Sequence, residues 1–108
     1  MADRPRKLSQ MLDAAGAGAT GVTIKCSSKM HIHIEGTFSG ATVEIQGRLT
    51  PDLSFITLHY EDGTDVIALE PIADLMPDGL ARFSELRAVV VGGDGSTSLT
   101  AWAAEASL

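Results

Sequence analysis

Apolar and polar residues alternate with a period of two along most of the chain after residue 21. In the segment 31–35, Ile32 and Ile34 fall on one face, and His31 and His33 fall on the other. Alternation of this kind is typical of a β-strand with one buried face. The same pattern predicts further strands over residues 22–26, 41–46, 54–60, 65–69, 85–91 and 98–103.

Turn signals separate these segments at intervals of about ten residues. Thr50-Pro51-Asp52 is a turn signature, 61–64 places Asp-Gly at a hairpin tip, and 92–96 is rich in glycine. Residues 72–79 predict a short helical turn or an irregular loop, because Pro77 prevents a long helix. Short strands with regular turns predict an all-β body, an antiparallel β-sandwich or jelly-roll-like fold over residues 22–108.

Residues 1–21 differ from this body. Leu8, Met11 and Leu12 stand at helical spacing after a basic start, which predicts a short amphipathic helix over about residues 7–15. The Ala/Gly-rich run 14–21 has little to bury and is typical of a linker. The sequence therefore predicts an extended N-terminal arm over residues 1–21.

Composition narrows the classes of function. The 108 residues are 44% hydrophobic and 20% charged, which is ordinary for one globular domain. A net charge of −6 with eight scattered basic residues argues against nucleic acid as a partner. The chain shows neither a signal-peptide pattern nor an apolar run long enough to span a membrane, and one cysteine cannot form an internal disulfide. These features predict a protein made in a cytoplasm.

The histidines offer the clearest candidate for a metal site. His31 and His33 share a strand face, and His59 is a possible third ligand for zinc. The spacing is weak, and an exposed strand face explains the pair better. Cys26 lies on the apolar face of its strand, which favours a buried structural thiol over a nucleophile.

Other candidate sites also have simpler interpretations. The run 92–96 lacks the Gly-Lys-Ser/Thr ending of a phosphate-binding loop. Asp62 and Asp65 fit a hairpin turn better than a calcium loop, and Glu44 and Glu70 give no sign of a catalytic pair. The sequence predicts no enzyme activity, no cofactor and no metal.

Aromatic residues are few, five in the whole chain. Trp102 and Tyr60 are candidates for a platform on which sugars stack. Core packing is the better explanation for Trp102 and Phe55, given how few aromatic side chains the chain has.

Three segments, 34–46, 85–93 and 98–101, carry a resemblance to small structural proteins of bacteriophage virions. Residues 36–43 read Gly-x-Phe-x-Gly-Ala-Thr-Val at the start of a strand, and residues 87–93 read Arg-Ala-Val-Val-x-Gly-Gly in a late hairpin. The resemblance extends over about two-thirds of the chain, from His31 to Ala103, in a single domain. Where similar proteins often carry Asp-Gly and Trp, residues 48–53 differ.

The resemblance implies a non-enzymatic virion component, assembled in the host cytoplasm and carried on the capsid surface. A head decoration (cement) protein is the first expectation, with the major capsid protein and other copies of this chain as partners, a trimer being favoured. No nucleic acid or membrane partner is expected. The arm would bind a neighbour through Arg4, Arg6, Lys7, Leu8, Met11 and Leu12. The alternatives are a tail or head–tail accessory ring protein and a carbohydrate-binding module on the virion.

Overall fold

The computed structural model describes residues 8–26, 30–59, 64–75 and 83–105, with the backbone alone at residues 8, 73–75 and 105. All the regular elements in these ranges are β-strands. They are β1 (Leu8–Ala15), β2 (Ile24–Lys25), β3 (Met30–Thr37), β4 (Ala41–Arg48), β5 (Ile56–Thr57), β6 (Ile67–Ala68), β7 (Ile72–Leu75), β8 (Glu85–Gly92) and β9 (Ser98–Glu105).

The strands form two antiparallel sheets that pack together. The first sheet has the order β1-β9-β3-β7. The second has the order β2-β8-β4-β5, and β6 also pairs with β4. The prediction of an all-β antiparallel sandwich is confirmed.

The core lies between the sheets and is filled by alternate residues of the long strands. Ile32 and Ile34 of β3 point inward, as predicted, and so do Val43 and Ile45 of β4. Each such side chain stabilises the fold by about 1.5–3 kcal/mol through removal of apolar surface from water. The largest fully buried side chains are Met11, Ile32, Ile34, Ile45, Leu86, Leu99, Val43, Val66 and Val90.

Two connections between the sheets meet at one end of the sandwich. The chain crosses from β3 to β4 through residues 38–40 and from β8 to β9 through residues 93–97. Ser39 Oγ donates to Asp94 Oδ1 at 2.7 Å, and Thr97 Oγ1 donates to the Phe38 carbonyl at 3.1 Å. The hydrogen bond from Ser39, with one from the Ser96 amide, lowers the pKa of the Asp94 carboxyl.

The expectation of a late hairpin is therefore wrong in its pairing, although both strands and the turn between them are present. β8 pairs with β4 in the second sheet, whereas β9 pairs with β3 and β1 in the first. Residues 93–97 thus change sheets rather than reverse a strand onto its neighbour.

The predicted helix over residues 7–15 is wrong, because Leu8–Ala15 is an edge strand paired with β9. Its register shifts between Gln10 and Leu12, where two steps on β1 match one step on β9. A β-bulge of this kind lets the neighbours Met11 and Leu12 both reach the core. The helix was predicted because Leu8, Met11 and Leu12 stand at the spacing i, i+3 and i+4 of one helix face.

The Ala/Gly-rich run 14–21 is not a separate linker within the described residues. It crosses from the first sheet to the edge of the second, where the Gly21 amide donates to the Ala88 carbonyl at 2.8 Å. The next amide, of Val22, donates back to the Met11 carbonyl at 2.9 Å. A Cβ at Gly21 would collide with both of these carbonyls, so the crossing needs glycine here. Residues 8–21 belong to the sandwich, and the predicted arm at residues 1–7 lies outside the described residues.

The middle of the chain has shorter strands than predicted. Only β5 and β6 form within the predicted segments 54–60 and 65–69. A bridge between His59 and Asp65 aligns these two segments, as the hairpin prediction requires, and the tip at residues 60–63 lies outside the described residues. The predicted turn or loop at 72–79 is wrong at its start, because β7 is a strand paired with β3; residues 76–79 lie outside the described part.

Candidate functional site

The outward side of the first sheet, called the first outer face, is centred on Trp102. Trp102 lies opposite His33 on β3 and Gln10 on β1. The rings of Trp102 and His33 have centroids 5.8 Å apart and are tilted by 43°. The imidazole Nε2 of His33 lies 3.0 Å from Glu35 Oε2.

The prediction that Trp102 packs in the core is wrong. Ala101 and Ala103 point inward and are buried, so the alternation of β9 turns Trp102 outward, where it is only partly buried. An aromatic ring on the surface of a sheet is available to a ligand or a partner.

The outward side of the second sheet, called the second outer face, carries an aromatic ring between two arginines. The guanidinium carbon of Arg48 lies 4.5 Å from the centroid of the Phe55 ring, and that of Arg87 lies 4.1 Å from it. These distances are within the range of cation–π attraction. Phe55 is partly buried by this stacking on the sheet surface, so its predicted place in the core is also wrong.

Hydrogen bonds fix both arginines on this face. Arg48 Nε donates to Glu85 Oε1 at 2.8 Å, and its Nη2 lies 2.7 Å from the same oxygen. Arg87 Nε donates to Gln46 Oε1 at 2.8 Å. Strand register explains both pairs, because Arg48 is the Cα partner of Glu85 and Gln46 is that of Arg87.

An exposed apolar side chain lies on the same face as this pair of arginines. Val91, four residues after Arg87 on the outward side of β8, is 44% exposed. Ile56 is also exposed, but it lies opposite the inward-facing Gly47 and therefore on the other side of the sheet from Phe55. An exposed apolar group on a face that carries arginine and phenylalanine is typical of a protein interface.

The predicted binding residues of the arm are not brought together on a surface. Arg4, Arg6 and Lys7 lie outside the described residues, and Leu8 starts β1 with its backbone alone described. Met11 and Leu12 are buried. Their apolar surface is used in the core of this fold, and the binding of a neighbour through these two side chains stays a prediction.

The histidines do not converge on one site. His31 and His33 lie on β3, whereas His59 Nδ1 lies 2.8 Å from Asp65 Oδ1 in the other sheet. Among the residues that the structure describes, no group of three or more His, Cys, Asp or Glu side chains is placed to hold a metal ion. Asp62, proposed beside Asp65, lies outside these residues.

Cys26 follows β2 and packs against the core while staying partly exposed. Burial raises the pKa of its thiol to about 11. The thiolate is therefore scarce near neutral pH, which agrees with the interpretation of a structural thiol rather than a nucleophile.

Sequence reasoning missed the stacking of Phe55 with Arg48 and Arg87. Alternation did carry part of the signal, because the polar positions of 41–46 and 85–91 face away from the core. The register that brings β5 to β4 is absent from such a pattern, since any even shift keeps the same residues outward.

Comparison of the chain with protein-family models, with curated proteins and with solved structures finds no match. Within the described ranges, no helix has the length and apolar character that a membrane crossing requires.

Proposed function

We propose that this protein is a non-enzymatic component of a phage virion, a capsid decoration protein that binds the lattice of the major capsid protein. The observation that carries the proposal is the second outer face, where Phe55 lies against Arg48 and Arg87 and Val91 is exposed on the same side of β8. Arginine and aromatic residues are enriched in protein interfaces and dominate their binding energy.

The class of protein in this proposal, a structural component of a phage virion, comes from the resemblance in sequence. Its segments 34–46 and 85–93 supply β4 and β8, which pair along their full length, from Ala41 with Gly92 to Arg48 with Glu85. Residues distant in sequence thus combine in one structural unit. This supports treating the two motifs as one feature of the protein rather than two unrelated short matches.

A rigid small sandwich suits repeated attachment to a lattice. One domain of this size offers only a modest contact area, but copies joined around a symmetry axis multiply weak contacts into firm attachment. We propose self-association, with a trimer favoured, as part of the same function.

Co-sedimentation with capsids tests this proposal. Purified protein is mixed with capsids of the phage that encodes it, and bound copies are counted by quantitative mass spectrometry. A decoration protein gives on the order of hundreds of copies per particle, because it follows the capsid symmetry. Binding in about a dozen copies or fewer would instead indicate a tail or head–tail ring protein, and absence of binding would refute the virion role.

A carbohydrate-binding module on the virion is the second candidate, favoured by the outward position of Trp102. A sugar ring stacked on the indole would have His33, Glu35 and Gln10 beside it as hydrogen-bonding groups. Glycans should then quench the fluorescence of Trp102, the one tryptophan in the chain. Unchanged emission across a panel of host surface glycans would remove this candidate.

A further inference from the structure

We infer that the second outer face is a docking surface for an acidic protein partner, with Arg87 receiving a carboxylate of that partner. The inference deepens the proposed function and rests on it where it takes the major capsid protein as the partner.

Basic side chains outnumber acidic ones on the described strands of this face. The chain as a whole carries a net charge of −6. Yet Lys25, Arg48 and Arg87 point outward from the second sheet, against Glu44 and Glu85 on the same side. A surplus of positive charge on one face of an acidic protein complements an acidic partner and disfavours a basic one.

Two contacts hold the Arg87 side chain in place and leave hydrogen-bond donors of its guanidinium group without a described partner. Its Nε donates to Gln46, and its guanidinium carbon lies 4.1 Å from the centroid of the Phe55 ring. Within the described part of the chain, its two Nη groups have no hydrogen-bond partner. Arg48 differs, because Nε and Nη2 both engage Glu85. Arg87 therefore presents two Nη groups that no described residue engages, on a side chain held by two contacts.

A fixed guanidinium suits a carboxylate in particular. Its N–H groups form a rigid fork that matches the two oxygens of Asp or Glu. Because Gln46 and Phe55 already restrict the Arg87 side chain, binding costs less conformational entropy than at a mobile arginine.

An exposed apolar side chain extends the partner surface. Val91 follows Arg87 by four residues on the outward side of β8 and is 44% exposed. Covering this part of the face with apolar side chains of the partner would remove water from the arginine–carboxylate pair and strengthen it. The expected partner thus has Asp or Glu beside apolar residues.

Binding of poly-L-glutamate tests the surface directly. Titration is followed by NMR shifts of backbone amides and arginine Nε–H groups, in wild type, Arg87→Gln and Gln10→Glu. The two variants change net charge equally, but Gln10 lies on the first outer face. We expect the largest shifts around Arg87, about tenfold weaker binding for Arg87→Gln, and less than twofold change for Gln10→Glu. Equal weakening in both variants, or shifts centred on Trp102, would overturn the inference.

Arg87→Lys separates geometry from charge and serves if Arg87→Gln fails to fold, as judged by thermal melting. Lysine keeps the charge but has no planar fork. We expect it to bind poly-L-glutamate at least threefold more weakly than wild type. Wild-type affinity in this variant would contradict the proposed role of the fork.

The same variants on capsids distinguish the two proposals. Failure of wild type to co-sediment, with poly-L-glutamate binding intact at Arg87, removes the capsid partner and retains the docking surface for an acidic partner. Co-sedimentation of Arg87→Gln at wild-type affinity supports the virion role and overturns the docking surface. Loss of about tenfold in capsid affinity for Arg87→Gln, but not for Gln10→Glu, supports both.

Discussion

The two outer faces of the sandwich have the same arrangement of long strands but carry different side chains. Each is centred on a pair of eight-residue strands, β3 with β9 in the first sheet and β4 with β8 in the second. On the first face Trp102 and His33 meet at the surface, with Glu35 beyond. On the second face Arg48 bonds to Glu85 and Arg87 bonds to Gln46. The Phe55 ring lies against both arginines. The inward residues define the fold of both sheets, so the outward residues are free to differ, and the function is expected in that difference.

The first outer face depends on β1, so the largest effect is expected from loosening that strand. Met11→Ala removes a fully buried side chain and should lower the free energy of unfolding by about 2–5 kcal/mol. Urea denaturation followed by circular dichroism measures this. Gln10→Ala, next in the chain but on the outer face, should change stability by no more than about 0.5 kcal/mol. Equal small effects would mean that β1 is not part of the sandwich.

The next largest loss of stability is expected from breaking the ion pair between Arg48 and Glu85 on the second outer face. The side chains of Arg48 and Glu85 are each only 22% exposed, so their ion pair is less screened than a surface pair. Arg48→Ala, which also removes a cation–π contact with Phe55, should cost about 1 kcal/mol. A double-mutant cycle with Glu85→Ala is expected to show coupling; additivity of the two single changes would count against the pair.

The corresponding pair of the first outer face should matter less. His33 and Glu35 have side chains 41% and 55% exposed, and water screens them more strongly. His33→Ala should change stability by about 0.5 kcal/mol or less while shifting the emission of Trp102, because the ring beside the indole is removed. A loss as large as that of Arg48→Ala would erase the difference between the faces.

The smallest effect is expected at Cys26, whose reactivity reports how far packing against the core protects its thiol. With its pKa raised to about 11, the thiol should react with iodoacetamide at pH 8 much more slowly than a free cysteine. Burial favours the protonated form in the folded state. Its contribution to stability is therefore present below the unfolded pKa and is lost as pH rises towards 11. Rapid alkylation of the folded protein at pH 8 would contradict this.

Strand periodicity predicted the interior well and the connectivity poorly. Ile32 and Ile34 lie inside and the neighbouring histidines face out, because alternation reports the side on which a residue lies. It does not report which strand is the neighbour. The short glycine-rich connection at 93–97 is typical of a hairpin, yet it joins different sheets, held by side-chain bonds such as that between Ser39 and Asp94.

The candidate site was hidden by two physical effects. Residue type suggested a buried Trp102, although the small inward residues Ala101 and Ala103 already indicated that it faces out. Phe55 stacks with arginines of two other strands, and this arrangement depends on register and sheet order, which one sequence does not contain. The bulge in β1 likewise has no signature separate from a helical turn.

The central claim is that the second outer face, not the first, contacts the partner. Hydroxyl-radical footprinting of the chain, free and bound to capsids, compares the oxidation of individual side chains. We predict that Phe55 and Val91 become protected on binding while Trp102 reacts as before. Protection of Trp102 with unchanged oxidation at Phe55 and Val91 would contradict this prediction and assign binding to the first outer face.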